Sequence, residues 1–416
     1  MPEQPLVIVG FAPAALTSLA EFQPDRSVIV IEEPDVVRKR HVDAAIARSS
    51  VVRELIPWEY QLPGAADAFV NAHPTLRPAA VAPIQEYPTP FAARLAERYG
   101  LAGAGLGAAL VLRDKAALRA VTSAAGIRNP ESATVREPSE VRQFMAAHQG
   151  AVVLKPANRQ ASVGTLVIHD PADVDAAWAE CLQQDEGVMV PDRPRQLHML
   201  VERFVRGEEY SVEMLVDAGR PALTNITGKV LFPGPRPIEM AHVVPADLGD
   251  DLAAALREGT QRVVAAVGFG TGIIHCEWIV AGATCYLVEC AGRFAGDGII
   301  ELIERAYPVE LVRAFWTLMK GERLPSPLPQ RAEQAAAVWF LRVEPGEVQA
   351  VDGLDEAAGA PGVVSCHTDL KPGDRTRELR SSWDRAGSVI ACGHDPSEAL
   401  ERAKSAIDRI HVKVRT

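Results

Sequence analysis

Aromatic residues make up only 6% of the 416 residues, and no uncharged stretch approaches the roughly twenty apolar residues that cross a bilayer. No membrane partner is therefore expected. The opening Met-Pro-Glu-Gln-Pro-Leu-Val-Ile-Val-Gly lacks a basic leader, and its apolar run is too short for a signal peptide. Basic charge is scarce as well: the net charge is −11, and clusters such as Arg38-Lys39-Arg40 are short enough to be a solvated helix face. A nucleic-acid partner needs a broad basic surface, so none is expected. The six cysteines (Cys181, Cys276, Cys285, Cys290, Cys366 and Cys392) include no Cys-x-x-Cys pair. They read as buried thiols of a cytoplasmic protein rather than as a zinc site or a disulfide framework.

What is present is apolar mass. At 48% hydrophobic residues the chain can bury about two or three domain cores. Leu6–Val9, the helix-like Ala14–Glu21 and Val28–Ile31 follow in strand–helix–strand order, which predicts a parallel βαβ start and an α/β class. Only Gly10 stands in the first turn, so this half-Rossmann reads as a scaffold or substrate-side unit and not as a dinucleotide site. Pro-rich Tyr87–Pro90 and the Gly/Ala-rich Tyr99–Gly107 predict a boundary near residue 110. A helix is expected from Arg113 to Ala125, stopped by Gly126, with Asp114 in its first turn. A second boundary is expected at Leu324–Gln330. The last part alternates strands with turns and closes on a helix over Pro396–Ile410.

The most informative stretch is Gly272-Ile-Ile-His-Cys-Glu277-Trp, a turn near Ala283, and Tyr286-Leu-Val-Glu289-Cys-Ala-Gly-Arg293. The turn predicts a hairpin with Glu277 opposite Glu289 on one face. Two adjacent anions repel; a divalent cation with oxygen ligands, Mg²⁺ or Mn²⁺, removes the conflict. A solvated strand face with incidental glutamates is the plainer alternative. Arg293 is placed to meet an anion.

Three further runs bear on chemistry. Val152-Val-Leu-Lys155 is a buried strand ending in lysine, followed by a loop with Ser162 and Gly164 that folds over phosphates or is a surface hairpin. In Leu200-Val-Glu202-Arg-Phe204-Val205-Arg-Gly207-Glu-Glu209, one strand ends at Glu202 and another begins at Glu209. The linker backbone suits an adenine edge, and a carboxylate at Glu209 suits ribose hydroxyls; an acidic hairpin edge is the alternative. Lys229 ends another strand, and Arg236-Pro-Ile-Glu239-Met-Ala-His242 reads as a loop.

The order Lys115, Lys155, Glu202/Glu209, Glu277, Glu289, Arg293 resembles the ATP-grasp superfamily over roughly residues 100–310. Within it the chain is similar to the carboxylate–amine ligases that make dipeptides, the L-amino acid ligases. Ala336-Val-Trp-Phe, Gly362-Val-Val, Lys371-Pro-Gly-Asp and Arg385-Ala-Gly-Ser-Val-Ile-Ala-Cys-Gly are similar to their C-terminal lid.

The resemblance implies an ATP-grasp architecture in three parts. These are a Rossmann-like pre-ATP-grasp domain (1–110), an ATP-binding domain (111–325, with a small lid subdomain 111–200 and a main subdomain 201–325) and a β-rich C-terminal lid domain (326–416). It implies ATP and Mg²⁺ as cofactors and small-molecule carboxylate and amine substrates. By resemblance alone it implies a homodimer. It assigns Lys115, Lys155, Ser162 and Gly164 to phosphates, Glu202, Phe204 and Val205 to the adenine hinge, and Glu209 to ribose. Glu277 and Glu289 become the metal ligands. Arg293 would hold the reacting carboxylate and acyl phosphate. Glu239 and His242 fall in the substrate loop as candidate bases, and Asp297 either selects a polar or cationic amine or caps the following helix.

Two departures stand out. Ala291 replaces the asparagine that normally follows the second metal glutamate, and the phosphate loop Asn158–Gly164 is poor in glycine. An ATP-dependent carboxylase of the biotin-carboxylase or purine type, and a nucleotide-binding relative without catalysis, are the rival readings.

Overall fold

The computed structural model describes residues 4–183, 186–234 and 236–415. Strands β1 (Leu6–Val9), β2 (Val28–Glu32), β3 (Val52–Pro57) and β4 (Ala80–Pro83) form a parallel sheet in the order β3-β2-β1-β4. β1 and Val28–Ile31 of β2 are unbroken Val/Ile/Leu runs buried on both faces, as a helix-covered parallel sheet requires. Gly10 turns the chain from β1 into the helix Pro13–Ala20 at φ +90°, a conformation that L side chains rarely adopt.

Asp114 caps its helix from just outside rather than standing in the first turn, because the helix starts two residues later than expected. The helix runs Lys115–Ala124, and Asp114 is its N-cap, accepting from the N–H groups of Ala116 and Ala117. That bond satisfies donors with no partner inside the helix.

A small antiparallel sheet follows: β5 (Ser132–Val135), β6 (Val152–Pro156), β7 (Leu166–Ile168) and β8 (Met199–Arg203), ordered β5-β8-β6-β7. Alternation decides its two faces. Val152, Leu154, Leu166, Ile168, Met199 and Val201 pack against Phe144, Met145, Val174 and Cys181 of the helices Pro138–His148 and Val174–Gln183. Val153, Lys155, Val167 and Glu202 are left on the other face, where they line a cavity.

After β8 the chain leaves this sheet for a larger one. Its strands are β9 (Glu208–Asp217), β10 (Arg220–Leu231), β11 (Glu239–Val244), β12 (Gly272–Ala281) and β13 (Thr284–Ala291). β14 (Ala335–Leu341), β15 (Gly346–Asp352), β16 (Val363–Thr368), β17 (Arg375–Thr376), β18 (Gly387–Gly393) and β19 (His411–Arg415) complete the set. The large sheet is ordered β13-β12-β9-β10-β11-β14-β18-β16, and β17-β15-β19 form a third antiparallel unit. The sheet therefore continues across the boundary expected near 326.

Glu239 and His242 were expected in a loop. They sit on β11, which β10 and β14 flank on either side. The closing helix ends at Ile407, and the alternating His411-Val-Lys-Val-Arg run adds a strand beside β15.

The helix Asp250–Val267 covers one face of the large sheet through Leu256, Val263 and Val264 against Val212, Met214 and Trp278. The helices Ile299–Ala306 and Leu311–Met319 cover the other, and their Leu302, Trp316 and Leu318 share one core with Leu6 and Ile8 of β1. This shared core fixes the N-terminal sheet beside the site. Among the described residues no helix is long and apolar enough to cross a membrane, and all six cysteines are free, three buried and three half-buried.

Candidate active site

Two cavities meet on the large sheet. The smaller lies where the small sheet faces the large one and is lined by Lys115, Lys155, Glu202, Phe204, Val205 and Glu209. The larger is an open cleft running past Lys229, His242, Arg293 and Asp297 to Ala12, Ala15 and Ile84 of the N-terminal part. Gln160, Ser162, Glu239, Glu277 and Glu289 line both.

Glu277 and Glu289 are cross-strand partners on β12 and β13, as expected, but the turn at Gly282–Ala283 alone would set Glu277 opposite Val288; a register shift between Glu277 and Trp278 brings the two carboxylates together. Their charge is balanced from two sides. Glu289 pairs with Lys115 at 3.0 Å. Glu277 accepts from Lys229 and, at 3.1 Å, pairs with His275. Burial works to raise the Glu277 pKa, but Lys229 and His275 outweigh it and hold the carboxyl well below the usual range.

His275 bridges inward to Glu213 at 2.9 Å. Glu213 is itself buried and accepts from Ser211, Asn225 and Thr227. Burial disfavours the imidazolium, yet Glu213 and Glu277, one on each ring nitrogen, push His275 up to about 9.

Lys229, only 2% exposed, also lies 3.5 Å from Glu239. Burial opposes its charge, and Glu277, Glu239 and Glu209 together raise its pKa nonetheless. Burial pushes Glu209 up to about 7; Lys229 opposes this while Glu277 and Glu239 add to it.

Glu202 has two buried cations on its carboxylate, Lys155 at 2.7 Å and Arg119 at 2.8 Å. Burial alone would raise its pKa, and the two cations bring it below the ordinary value. Phe204 donates its N–H to Ala151 O. Lys115 reaches the expected phosphate loop as a donor to Arg159 O at 2.8 Å. In that loop Ala161 and Ser162 adopt φ of +55° and +57°, and Gly164 +76°. Left-handed turns made without glycine cost roughly 1–3 kcal/mol each, which is the price of the missing glycines. The Ser162 hydroxyl donates to Pro237 O at 3.2 Å.

The expected capping role of Asp297 is overturned. The following helix starts at Ile299 with Gly298 as N-cap and no side-chain cap. Asp297, at φ +59°, instead accepts from Arg385 through both terminal nitrogens and pairs with His242 Nε2 at 3.0 Å. Burial would raise its pKa, but His242 and Arg385 depress it strongly. His242 is 1% exposed, and among the described residues its Nδ1 has no hydrogen-bond partner. Arg385 stacks 3.7 Å from the Phe340 ring.

Several residues of this network were not singled out from the sequence: Arg119, Glu213, His275 and Arg385, with Lys229 noted only as a strand end. Lys229 carried the same signal as Lys155, a lysine closing a buried strand. Arg119 and Arg385 had none, because Glu202 and Asp297, their partners, lie 83 and 88 residues away. Ala291, where an oxygen ligand was expected, is buried opposite His275. Among the described residues no group of three or more His, Cys, Asp or Glu side chains is arranged to hold a metal by itself.

Comparison with known proteins adds two matches within the chain. Residues 149–301 match the ATP-grasp domain, and residues 339–415 match the L-amino acid ligase C-terminal domain 2. Alanine–anticapsin ligase of Bacillus amyloliquefaciens is 25% identical over 306 residues, covering 69% of this chain and 61% of that protein. An uncharacterised protein of Sinorhizobium fredii is 29% identical over 301 residues, covering 71% of this chain and 60% of its own. The chain thus spans about three fifths of the length of these relatives. Among solved structures, the L-amino acid ligase from Bacillus licheniformis superposes with a TM-score of 0.80 at 17% identity, over 100% of this chain and 99% of that one. The MgADP-bound biotin carboxylase domain of Hydrogenobacter thermophilus 2-oxoglutarate carboxylase reaches 0.68 at 15%, over 98% and 90%. The fold is ATP-grasp.

Proposed function

For a chain carrying an ATP-grasp domain and an L-amino acid ligase C-terminal domain, we propose an ATP-dependent ligase that joins a carboxylate to an amine through an acyl phosphate. The carrying observation is the seam: the cavity lined by the nucleotide candidates Lys115, Lys155, Glu202 and Glu209 meets the open cleft at Glu277, Glu289, Glu239 and Ser162. A γ-phosphate there would meet a carboxylate arriving from the other side. The names of the alanine–anticapsin ligases support amino-acid-like substrates.

The reaction runs in two balanced steps. A carboxylate oxygen attacks the γ-phosphorus and ADP leaves. The amine then attacks the acyl carbon, phosphate leaves, and the amine nitrogen gives up a proton. The protein contributes mostly position and charge. Phe204–Val205 and Glu209 hold the nucleoside end; Lys115, Lys155 and the Ser162–Gly164 loop hold phosphates. Arg293 and Lys229 meet the charge that develops on the transferring group. Of the two candidate bases, Glu239 is the better placed, because it lines both cavities while His242 is buried against Asp297.

Glu277 and Glu289 fit a divalent cation. Mg²⁺ is commonly held by one or two carboxylates together with substrate phosphates, so the lack of a third protein ligand at Ala291 does not exclude one ion. When bound, the ion would supply charge neutralisation at the phosphate oxygens. The domain division at 110 and 325, and a dimer, remain part of this reading.

The test is phosphate release from ATP and Mg²⁺ against a matrix of amino acids, with bicarbonate in a separate well. Turnover requiring an acid together with an amine is expected. Turnover with bicarbonate alone would move the protein to the carboxylases, and none under any condition with ATP still bound would leave either a substrate outside the amino acids or an inert nucleotide-binding relative.

A further inference from the structure

Glu86 lies in the connection between β4 and the helix Thr89–Tyr99, at the carboxyl end of a parallel strand. Its side chain is 3% exposed. One carboxylate oxygen accepts from Arg113 at 2.9 Å and the other from Arg293 at 3.1 Å. Burial works to raise its pKa, and Arg113, Arg293 and Lys115 more than offset this, keeping it ionised. The same Arg113 donates to Asn158 O, at the start of the loop over the smaller cavity, at 2.8 Å. Its guanidinium stacks 4.3 Å above the Tyr87 ring, whose hydroxyl bonds Glu186.

An arginine on a loop is a poor catalyst unless something fixes it. Arg293 follows β13 and is not part of any strand or helix. Among the described residues its guanidinium is hydrogen-bonded to Glu86 and to its neighbour's carbonyl, Phe294 O at 2.8 Å. The first comes from the N-terminal part of the chain, which supplies no residue expected to touch ATP.

We infer that Glu86 is the positioning residue of Arg293: its buried carboxylate, clamped between Arg113 and Arg293, fixes the guanidinium at the mouth of the substrate cleft. This rests on the ligase reading for the role of Arg293, not for the geometry of the clamp. Charge is essential to the device. A neutral group of the same size leaves two arginines side by side without their shared anion, and Arg293 then turns toward the other carboxylates of the cleft.

The experiment uses the full chain. Glu86→Gln is expected to lower kcat by about 10²-fold, the scale of a misplaced reacting group. The KM for the acid should rise, and the KM for ATP should stay within about twofold of wild type. Glu86→Asp, which keeps the charge, should recover part of the loss. Wild-type kcat and acid KM in Glu86→Gln, or losses that merely follow the folded fraction measured by thermal melting, would overturn the assignment. A crystal structure of Glu86→Gln provides an arm independent of activity: the Arg293 guanidinium should leave Phe294 O. Its remaining in place would equally overturn the inference. If wild type turns over no acid–amine pair, the ligase reading fails instead, and the crystal structure alone decides the clamp.

Discussion

Glu277 and Glu289 face each other across β12 and β13, yet each is neutralised by a different lysine, Lys229 for the first and Lys115 for the second. Lys229 is carried by β10 of the large sheet, and Lys115 opens the helix capped by Asp114. The anion pair is thus stable before any ion arrives. On the proposed ligase reading, Lys115 would exchange its carboxylate partner for phosphate oxygens once nucleotide binds, while Lys229 faces the substrate cleft.

Removing one carboxylate should stop turnover and leave the fold. Glu289→Gln is expected to lose ATP turnover by about 10²-fold or more, the scale of a lost electrostatic group. Lys115 keeps Arg159 O as an acceptor, so the melting temperature should move little. Undiminished phosphate release would remove the metal assignment.

Lys229 should matter to chemistry more than to nucleotide binding. Its loss exposes Glu277, Glu239 and Glu209 to mutual repulsion at the seam. Lys229→Met is expected to reduce kcat by about 10²-fold. ATP affinity, read by calorimetry without the second substrate, should change far less. A variant that binds ATP as poorly as it reacts would place Lys229 on the nucleotide instead.

The connection between the two sheets is tight at Gly207. A Cβ there would lie 2.2 Å from Val280 O and 2.7 Å from Val280 C, and backbone cannot yield as a flexible side chain does. Gly207→Ala is expected to cost about 1–3 kcal/mol and to raise the KM for ATP, since Phe204, Val205 and Glu209 flank the displaced turn. Wild-type stability and KM would show that the turn relaxes freely.

Glu32 predicts a pH dependence of stability far from the cleft. It is fully buried at the end of β2, with one carboxylate oxygen accepting from Tyr60 and Glu33 N–H. Burial pushes it from 4.5 to about 6, against the opposing pull of these bonds and Arg40. The folded chain therefore holds the proton more tightly than the unfolded one. This contribution is fully present below pH 4.5 and is lost as pH rises through about 6. Glu32→Gln stays neutral throughout. It should exceed wild type by about 2 kcal/mol at pH 8 and match it near pH 4, in denaturant unfolding. A constant difference across pH would refute the buried-carboxylate account.

Legibility in the sequence followed periodicity. The parallel βαβ start, the lysine-bearing strand β6 and the existence of the β12–β13 hairpin follow from local alternation and a turn, while the pairing of Glu277 with Glu289 also needs a register shift beside Trp278. The errors arose where the decisive partner was distant. Asp297 reads as a helix cap from its neighbours, but Arg385, 88 residues later, and His242 claim its carboxylate. Glu239 and His242 look like loop residues between prolines until β14 arrives to pair with β11.

The sequence by itself determined which side chains share a strand face, where the turns fall and which residue types the chemistry would need. These depend on a repeat of two or on a few neighbouring residues. Only the tertiary structure decided how the charges are paired. Arg293 meets Glu86 across 207 positions, and Glu202 meets Arg119 across 83. Such pairs form because a buried charge must find an opposite one wherever packing brings it, and no local spacing records that choice.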